Sequence, residues 1–293
     1  MRAGALLLIV LAAAPLRAQS DGSRAESTDP ITRLGEYVKR YYTRAQSIVT
    51  EETIVIQPIN ADLTSDGFPR RAVYELRVEW DPTAPTASER ARAVRTLTKA
   101  SGPDLFDPGD EQCADPPSTT PEPLAFLLPD NQQSWNFAMG KPDRVDGHTV
   151  MTVEYTPRNG PPPSITSDHD CLFADLSGQT RGRLWADPET AEIFRMDERL
   201  TGVVDVKIPK AFQKPKGKSR RPDHVTYERA TSSTRYTRVT FTDPDETILL
   251  PASIDSVTIH RSDRSVSRLR ITQTFAKYRR FVTDSRVLPP ASD

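Results

Sequence analysis

The most constraining feature of this sequence is a strict alternation of apolar and polar residues over residues 71–80. One set of alternate positions holds Ala72, Tyr74, Leu76, Val78 and Trp80. The other set holds Arg71, Val73, Glu75, Arg77 and Glu79. Because successive side chains of a strand point to opposite faces, this pattern predicts a β-strand with one buried face and one wet face.

The same period of two recurs along the chain. It is seen at Met151, Val153 and Tyr155, at Val204, Val206 and Ile208, and at Leu269, Ile271 and Phe275. Turn-forming residues separate such segments: Asp66-Gly67, Asp187-Pro188 and Asp243-Pro244-Asp245. Short alternating strands joined by turns of this kind predict one extended antiparallel sheet.

One segment has helical spacing instead. Asp29 and Pro30 have the residue types of an N-cap and a first helical position. Apolar residues then follow at intervals of three and four: Ile31, Leu34, Val38, Tyr41, Ala45 and Ile48. This predicts an amphipathic N-terminal helix, and residues 124–128 predict a short second helix that stops at Pro129. The predicted fold class is mainly β (α+β).

The first residues resemble an export signal. Arg2 precedes an apolar run from Ala3 to Ala14, and Leu16-Arg17-Ala18 provides a cleavage site before Gln19. The run is too short for a membrane-spanning helix, which needs about 20 residues. We therefore predict that residues 1–18 are a signal peptide and that the mature chain is soluble and periplasmic or extracellular. A buried N-terminal core helix is the alternative.

The rest of the chain predicts one β-rich domain over residues 29–286. A disordered lead-in, 19–28, precedes it, and a disordered tail, 287–293, follows. Stretches rich in proline, glycine or charge predict three excursions from the sheet, at residues 101–123, 157–180 and 207–221. Removing the signal peptide leaves 37 of the 39 basic residues against 40 acidic ones, a balance that argues against a nucleic-acid partner.

The two cysteines, Cys113 and Cys171, both lie in these excursions. An even cysteine count in an exported chain indicates a disulfide. Closing so long a loop would stabilise the fold by roughly 4 kcal/mol. Two free thiols are the alternative, while a metal site would need further ligands at suitable spacing.

The order of these elements, an N-terminal amphipathic helix followed by a long antiparallel meander, resembles the Lol-type lipoprotein carriers and related outer-membrane lipoprotein-sorting proteins. Residues 182–195, with Trp185 before Asp187-Pro188, carry this similarity, and residues 275–281 are similar to a stretch of uncharacterised exported proteins. The resemblance implies a curved half-barrel sheet covered by helices, whose concave apolar face receives acyl chains or a hydrophobic peptide.

Six side chains are candidates for contact with such a ligand. They are Tyr74, Leu76, Val78 and Trp80 of the alternating strand, with Tyr155 and Trp185. Cavities are lined by apolar and aromatic side chains, which these residues supply. The same stripe is equally compatible with ordinary core packing under the helix, so both interpretations stay open.

A third group of residues is strongly basic. It comprises Lys207, Lys210, Lys214, Lys216, Lys218, Arg220 and Arg221. Such a cluster could contact an anionic membrane surface, at about 1 kcal/mol per charge near that surface. A solvated loop is the alternative.

Catalytic and metal-binding motifs are absent from the sequence. There is no nucleophile elbow, paired-histidine zinc helix or phosphate-binding glycine loop. The four histidines, His148, His169, His224 and His260, are far apart in sequence. Asp168-His169-Asp170 could bind a cation or orient a base, although its context favours a solvated loop. We predict no catalytic residue, metal or cofactor.

Three functions are compatible with these patterns. The first is an exported carrier of a hydrophobic ligand, which predicts a cavity of several hundred Å³ beneath the helix. The second is an envelope interaction or scaffold protein with a filled core. The third is a hydrolase whose site is assembled from distant residues. The sequence does not distinguish the ligand, the partner or the oligomeric state.

Overall fold

The main element of the protein is a curved antiparallel sheet of twelve strands that does not close into a barrel. The computed structural model describes residues 29–84, 91–102, 123–168, 171–212, 223–262 and 265–280. With one long helix at the N-terminal end of this part, the architecture confirms the predicted fold class, a mainly β chain with a large curved sheet under an N-terminal helix.

Strands that are neighbours in the sheet are mostly consecutive in sequence, and the longest are β12, β13 and β14. In chain order they are β1 (Ile48–Pro58), β2 (Arg70–Trp80), β3 (Ala91–Ser101), β4 (Trp135–Met139), β5 (Asp143–Val145), β6 (His148–Pro157), β7 (Ser164–Asp168), β8 (Cys171–Asp175), β9 (Thr180–Ala186), β10 (Ile193–Leu200), β11 (Val204–Lys207), β12 (His224–Thr242), β13 (Asp245–Arg261) and β14 (Val266–Arg280). Their spatial order is β3-β2-β1-β14-β13-β12-β10-β9-β6-β4, with β11 beside β12 and β5 beside β6. Strands β7 and β8 form a separate hairpin.

Helix α1 (Pro30–Ala45) begins as its sequence predicts. The Asp29 carboxylate accepts a hydrogen bond from the backbone N–H of Thr32 at 3.2 Å, which satisfies one of the free donors of the first turn. Its buried face contains Leu34, Gly35, Tyr37, Val38, Tyr41, Tyr42 and Ala45. The predicted helical stripe extends one apolar residue too far, because its last member, Ile48, is the first residue of β1.

Both ends of α1 are attached to the sheet. Near its N-terminus, the Arg33 guanidinium donates a hydrogen bond to the Pro188 carbonyl oxygen at 2.7 Å, in the β9–β10 turn. Near its C-terminus, Arg44 forms an ion pair with Glu246 of β13, and the same carboxylate pairs with Arg280 of β14. These contacts hold the helix across one end of the curved face.

The predicted second helix is a 3-10 turn, Pro123–Leu127, and Pro129 begins a further short helix, α2 (Pro129–Gln132). Gly35 allows this segment to approach α1 closely, since a Cβ there would lie 2.4 Å from the Gln132 side-chain nitrogen. That nitrogen donates to the carbonyl oxygens of Ile31 and Leu127, at 2.9 and 2.8 Å. The second segment therefore extends the helical cover from α1 towards β4.

The predicted turns are present. In the β9–β10 turn the Asp187 carboxylate accepts hydrogen bonds from the backbone N–H groups of Glu189 and Thr190, both at 2.8 Å. In the β12–β13 hairpin Thr242 lies opposite Asp245, and the intervening Asp243–Pro244 peptide bond is cis. Residues 49–56 pair with residues 70–77 in the antiparallel β1–β2 ladder.

Four buried clusters lie in the described residues, and two of them flank the open part of the helix-covered face. The larger one joins α1 to the ends of β2, β6, β9, β10, β12 and β13. The smaller one lies at the other end of the sheet, where the β7–β8 hairpin covers β11 and β12; it contains Ile165, Leu200, Val204, Val206 and Ile208. The excursion predicted at 157–180 thus contains this hairpin. Between the clusters part of the sheet face is not covered by a helix.

Several predictions concern residues outside the described part of the chain. These are the signal peptide, the lead-in, the C-terminal tail and most of the excursions at 101–123 and 207–221. Cys113 also lies outside the described residues, so the Cys113–Cys171 disulfide stays a prediction.

Candidate ligand cavity

A cavity of about 500 Å³, open to solvent on one side, lies between the two buried clusters. Its volume is within the range of small-molecule sites. Its floor is formed by the middle of β10, β12, β13 and β14, and its sides by the segments around Phe126 and Leu176. Residues of α1 do not line it. The carrier hypothesis predicted a cavity beneath α1. The cavity instead lies beside α1, because the space under the helix is filled by side chains.

About half of the cavity lining is apolar. It consists of Phe126, Trp135 and Leu176 at the sides and of Met196, Leu200, Ala230, Ile254 and Ile271 on the floor. The Phe126 ring lies 4.9 Å from that of Trp135 and 4.4 Å from that of Tyr155, measured between centroids. Such aromatic contacts stiffen one side of the cavity, so this wall does not need a ligand to hold its shape.

The floor is lined by hydroxyl groups. The polar lining residues are Ser177, Thr180, Glu198, Arg199, Thr231, Ser232, Thr234, Ser256 and Thr258. Ser232 and Thr234 of β12 and Ser256 and Thr258 of β13 lie at every second position, so their side chains share the cavity face of the sheet, whereas Thr231 lies at an alternate position. The site therefore combines apolar walls with groups that can donate or accept hydrogen bonds, which is the usual composition of a ligand pocket.

Glu198 is the acidic residue of this floor. The Tyr155 hydroxyl donates a hydrogen bond to its carboxylate at 3.3 Å. Gly182 makes this arrangement possible, because a Cβ at that position would lie 2.1 Å from the Tyr155 ring carbon Cζ. The aromatic ring thus lies directly over the glycine of β9 and positions its hydroxyl next to β10.

Burial controls the protonation of this pair. Burial raises the pKa of the Glu198 carboxyl above its ordinary value of 4.5, whereas hydrogen bonds with Thr180 and Tyr155 act in the opposite direction. Burial, together with the neighbouring Glu198 charge, also raises the pKa of the Tyr155 hydroxyl well above its ordinary value. Tyr155 therefore remains a hydrogen-bond donor at neutral pH, and the carboxylate form of Glu198 is disfavoured by its surroundings.

Glu198→Gln should stabilise the protein more at pH 8 than at pH 4. A raised carboxyl pKa in the folded state means that ionisation opposes folding as the pH rises above about 4.5, and not below it. Glutamine removes this penalty and keeps an acceptor for Tyr155. Thermal unfolding at the two pH values measures the difference. Glu154→Gln, on an exposed carboxylate, is the control; an equal gain from Glu198→Gln at both pH values would contradict the assignment.

Comparison with known proteins adds information about the fold. No family model matches the sequence, and no curated protein matches it. The chain is similar in fold to LolA superfamily proteins. One such protein, from Nitrosomonas europaea, is 12% identical, with a TM-score of 0.37 over 86% of this chain and 94% of that one.

Two further solved structures are similar. A DUF1329 family protein from Desulfovibrio piger has 13% identity and a TM-score of 0.36, with 87% of this chain and 95% of that chain covered. A putative outer membrane lipoprotein-sorting protein domain from Vibrio parahaemolyticus has 8% identity and a TM-score of 0.32, with 89% and 96% covered. The function proposed below depends on the geometry of the chain itself.

Within the described residues, none of the helices is long and apolar enough to cross a membrane. In the same ranges, His, Cys, Asp and Glu side chains do not come together in threes where they could hold a metal ion.

The predicted ligand stripe of β2 lies in packed clusters. Trp80 stacks on Tyr42 of α1 with ring centroids 4.9 Å apart, and Val78 belongs to the same cluster. Leu76 contacts a cluster with Ile254 and Phe275, while Tyr74 belongs to another with Ile54 and Ile56. These four residues do not line the cavity of about 500 Å³, and their contact with a ligand stays a prediction.

The other two predicted ligand residues lie near a second cavity. Trp185 is on the face of the sheet opposite the helix, where its indole N–H donates to Asp143 at 3.0 Å and the Arg195 guanidinium lies 4.8 Å from its ring centroid. Tyr155 and Trp185 both line a groove of about 680 Å³ on this side. Through its hydroxyl, Tyr155 also supports the floor of the first cavity.

The basic and histidine candidates are only partly described. Lys207 and Lys210 are exposed, and the other five members of the basic cluster lie outside the described residues, as does His169. The His148 ring stacks on Phe194 at 5.6 Å and that of His260 lies 5.4 Å from Tyr227, while His224 is exposed. The predicted contact of the basic cluster with an anionic surface stays a prediction.

Sequence reasoning did not find the cavity floor. The hydroxyl residues alternate with polar Ser233 in β12 but with apolar Val257 in β13, so no consistent amphipathic pattern marks the cavity face. A signal was nevertheless present: Ser232, Thr234, Ser256 and Thr258 place small polar residues at period two inside long strands. Small side chains at inward-facing positions leave space that large apolar residues would fill.

Proposed function

We propose that this protein is an exported binding protein, or carrier, for a hydrophobic ligand such as a lipid or the acyl chain of a lipoprotein. The observation that carries the proposal is the open cavity of about 500 Å³ between two separately packed clusters. Because the clusters are stable without filling it, the space can be occupied or vacated while the sheet keeps its shape.

The lining supports an acyl chain as the occupant. Eight apolar side chains line the cavity, and each methylene removed from water among them contributes about 0.8 kcal/mol. The hydroxyls of the floor suit an ester or hydroxyl group at the end of the chain. A polar end group could hydrogen-bond to the Ser256 hydroxyl, which also donates to the Ile271 carbonyl oxygen at 3.3 Å.

A cavity-filling substitution tests this function. Thr258→Trp places a large ring on the floor of the cavity and is expected to weaken binding of a monoacylglycerol at least about tenfold, since the ring occupies the ligand volume. Isothermal titration with the purified protein measures the affinity, and native mass spectrometry of the same sample detects lipid that co-purifies.

Thr237→Trp is the matched control, because Thr237 is exposed on β12 and does not line the cavity. It should bind the lipid as the unmodified protein does. If the unmodified protein binds no monoacylglycerol, or if Thr258→Trp binds it at full strength, the carrier function is wrong and the scaffold hypothesis gains support.

A further inference from the structure

The groove on the opposite face of the sheet has an unusual arrangement of charge. It has a volume of about 680 Å³ and is bordered by β6, β9, β10, β12 and β13. Arg181 of β9 lies directly opposite Arg199 of β10 in the antiparallel ladder, and both side chains are exposed and line the groove. Like charges at directly opposed positions of a sheet are destabilising, so this pair calls for a physical explanation.

The carboxylates of this groove are engaged elsewhere. Glu154 pairs with Arg183 at 2.5 Å. Asp197 pairs with Arg195 at 2.6 Å and also accepts a hydrogen bond from Ser233 at 2.7 Å. Asp255 accepts a hydrogen bond from Thr272 at 3.3 Å. Within the described part of the chain, neither the Arg181 nor the Arg199 guanidinium has a hydrogen-bond or ion-pair partner.

We propose that Arg181 and Arg199 form a binding site for a phosphate-type oxyanion. Arginine presents several N–H donors in a planar fork that matches phosphate oxygens, and two such forks side by side can hold one anion from two directions. The anion would replace the repulsion between the two guanidinium groups with two charge-assisted contacts. Thr156 and Thr231 line the same groove, with Thr231 directly opposite Arg199, and add hydroxyl donors.

The anion site is separate from the ligand cavity. Arg199 and Thr231 alternate with Glu198 and Ser232 along β10 and β12, so the two pairs of side chains lie on opposite faces of these paired strands. The site of Arg181 and Arg199 therefore lies on the face away from the cavity of about 500 Å³, and the inference does not rest on the proposed carrier function.

Two phosphate-type anions without an acyl chain test the inference. Isothermal titration compares inorganic phosphate with glycerol 3-phosphate, a phosphate monoester that represents a lipid head. We expect the unmodified protein to bind both, and Arg181→Gln to bind each at least about tenfold more weakly, since one of the two guanidinium forks is lost. Arg181 does not line the cavity, so the same variant should keep the affinity for monoacylglycerol.

The matched control is Arg71→Gln, which removes an exposed strand arginine outside the groove and should bind both anions as the unmodified protein does. If the unmodified protein binds neither anion, or if Arg181→Gln binds them at full strength, the anion site is wrong; the carrier function is tested separately by monoacylglycerol binding. Binding of inorganic phosphate alone would support a site for the free anion and not for a lipid head.

Discussion

Replacing Arg95 with leucine is expected to lower the free energy of unfolding by about 3–5 kcal/mol. Glu52 of β1 is completely buried, and Arg95 of β3 reaches across β2 to contact it. The Arg95 Nε and Nη2 atoms donate to the two carboxylate oxygens at 2.5 and 3.0 Å. Removing the guanidinium would leave an uncompensated charge among apolar side chains, and equilibrium denaturation in urea would measure the loss.

The double variant Glu52→Leu/Arg95→Leu is the decisive control. Replacing both members of a buried ion pair by apolar residues of similar size is often neutral or stabilising, so most of the lost stability should return. If the double variant is as unstable as Arg95→Leu alone, the loss comes from changed packing at the edge of the sheet, and the buried-charge explanation fails.

The second large effect is expected from Tyr42→Ala, at about 3–5 kcal/mol. Tyr42 is fully buried on α1, and its ring stacks on Trp80 at an interplanar angle of 13° and contacts Tyr41 edge-on at 5.4 Å. Truncation to alanine leaves a cavity at the joint between the helix and β2. Denaturation followed by far-ultraviolet circular dichroism would measure the loss.

Lys39→Ala provides the comparison on the same helix. Lys39 is exposed, so its truncation should change the stability by less than about 0.5 kcal/mol. Equal effects of the two substitutions would mean that α1 is not docked on the sheet through its aromatic face. A large effect of Tyr42→Ala would also favour core packing over ligand contact as the role of Trp80.

Individual strands and turns were predictable because their signals are local. The alternation over residues 71–80 appears as β2, and the Asp-Pro turns connect β9 to β10 and β12 to β13. The pairing of β1 with β14 was not predictable, since it joins residues at opposite ends of the described chain and no short-range pattern encodes it. Single residues of α1 were also missed: Tyr37 and Tyr42 widen the buried face beyond the predicted stripe.

The candidate site was less accessible to sequence reasoning than the fold. Buried aromatic residues such as Tyr74 look alike in sequence whether a ligand or a neighbouring side chain covers them. Here α1 covers the end of β2, while the middle of β10, β12 and β13 is left open. The arginine pair was equally hidden, because Arg181 and Arg199 become neighbours only through the register of the β9–β10 ladder.

The sequence by itself determined that the chain forms an antiparallel sheet with an amphipathic N-terminal helix, because side-chain periodicity specifies which face of each element avoids water. The tertiary structure alone decided where the helix lies along the sheet, which part of the covered face stays hollow and which charges become neighbours across strands. These features depend on contacts between residues distant in sequence, whose free energies are set by packing and register and are not encoded in any local pattern.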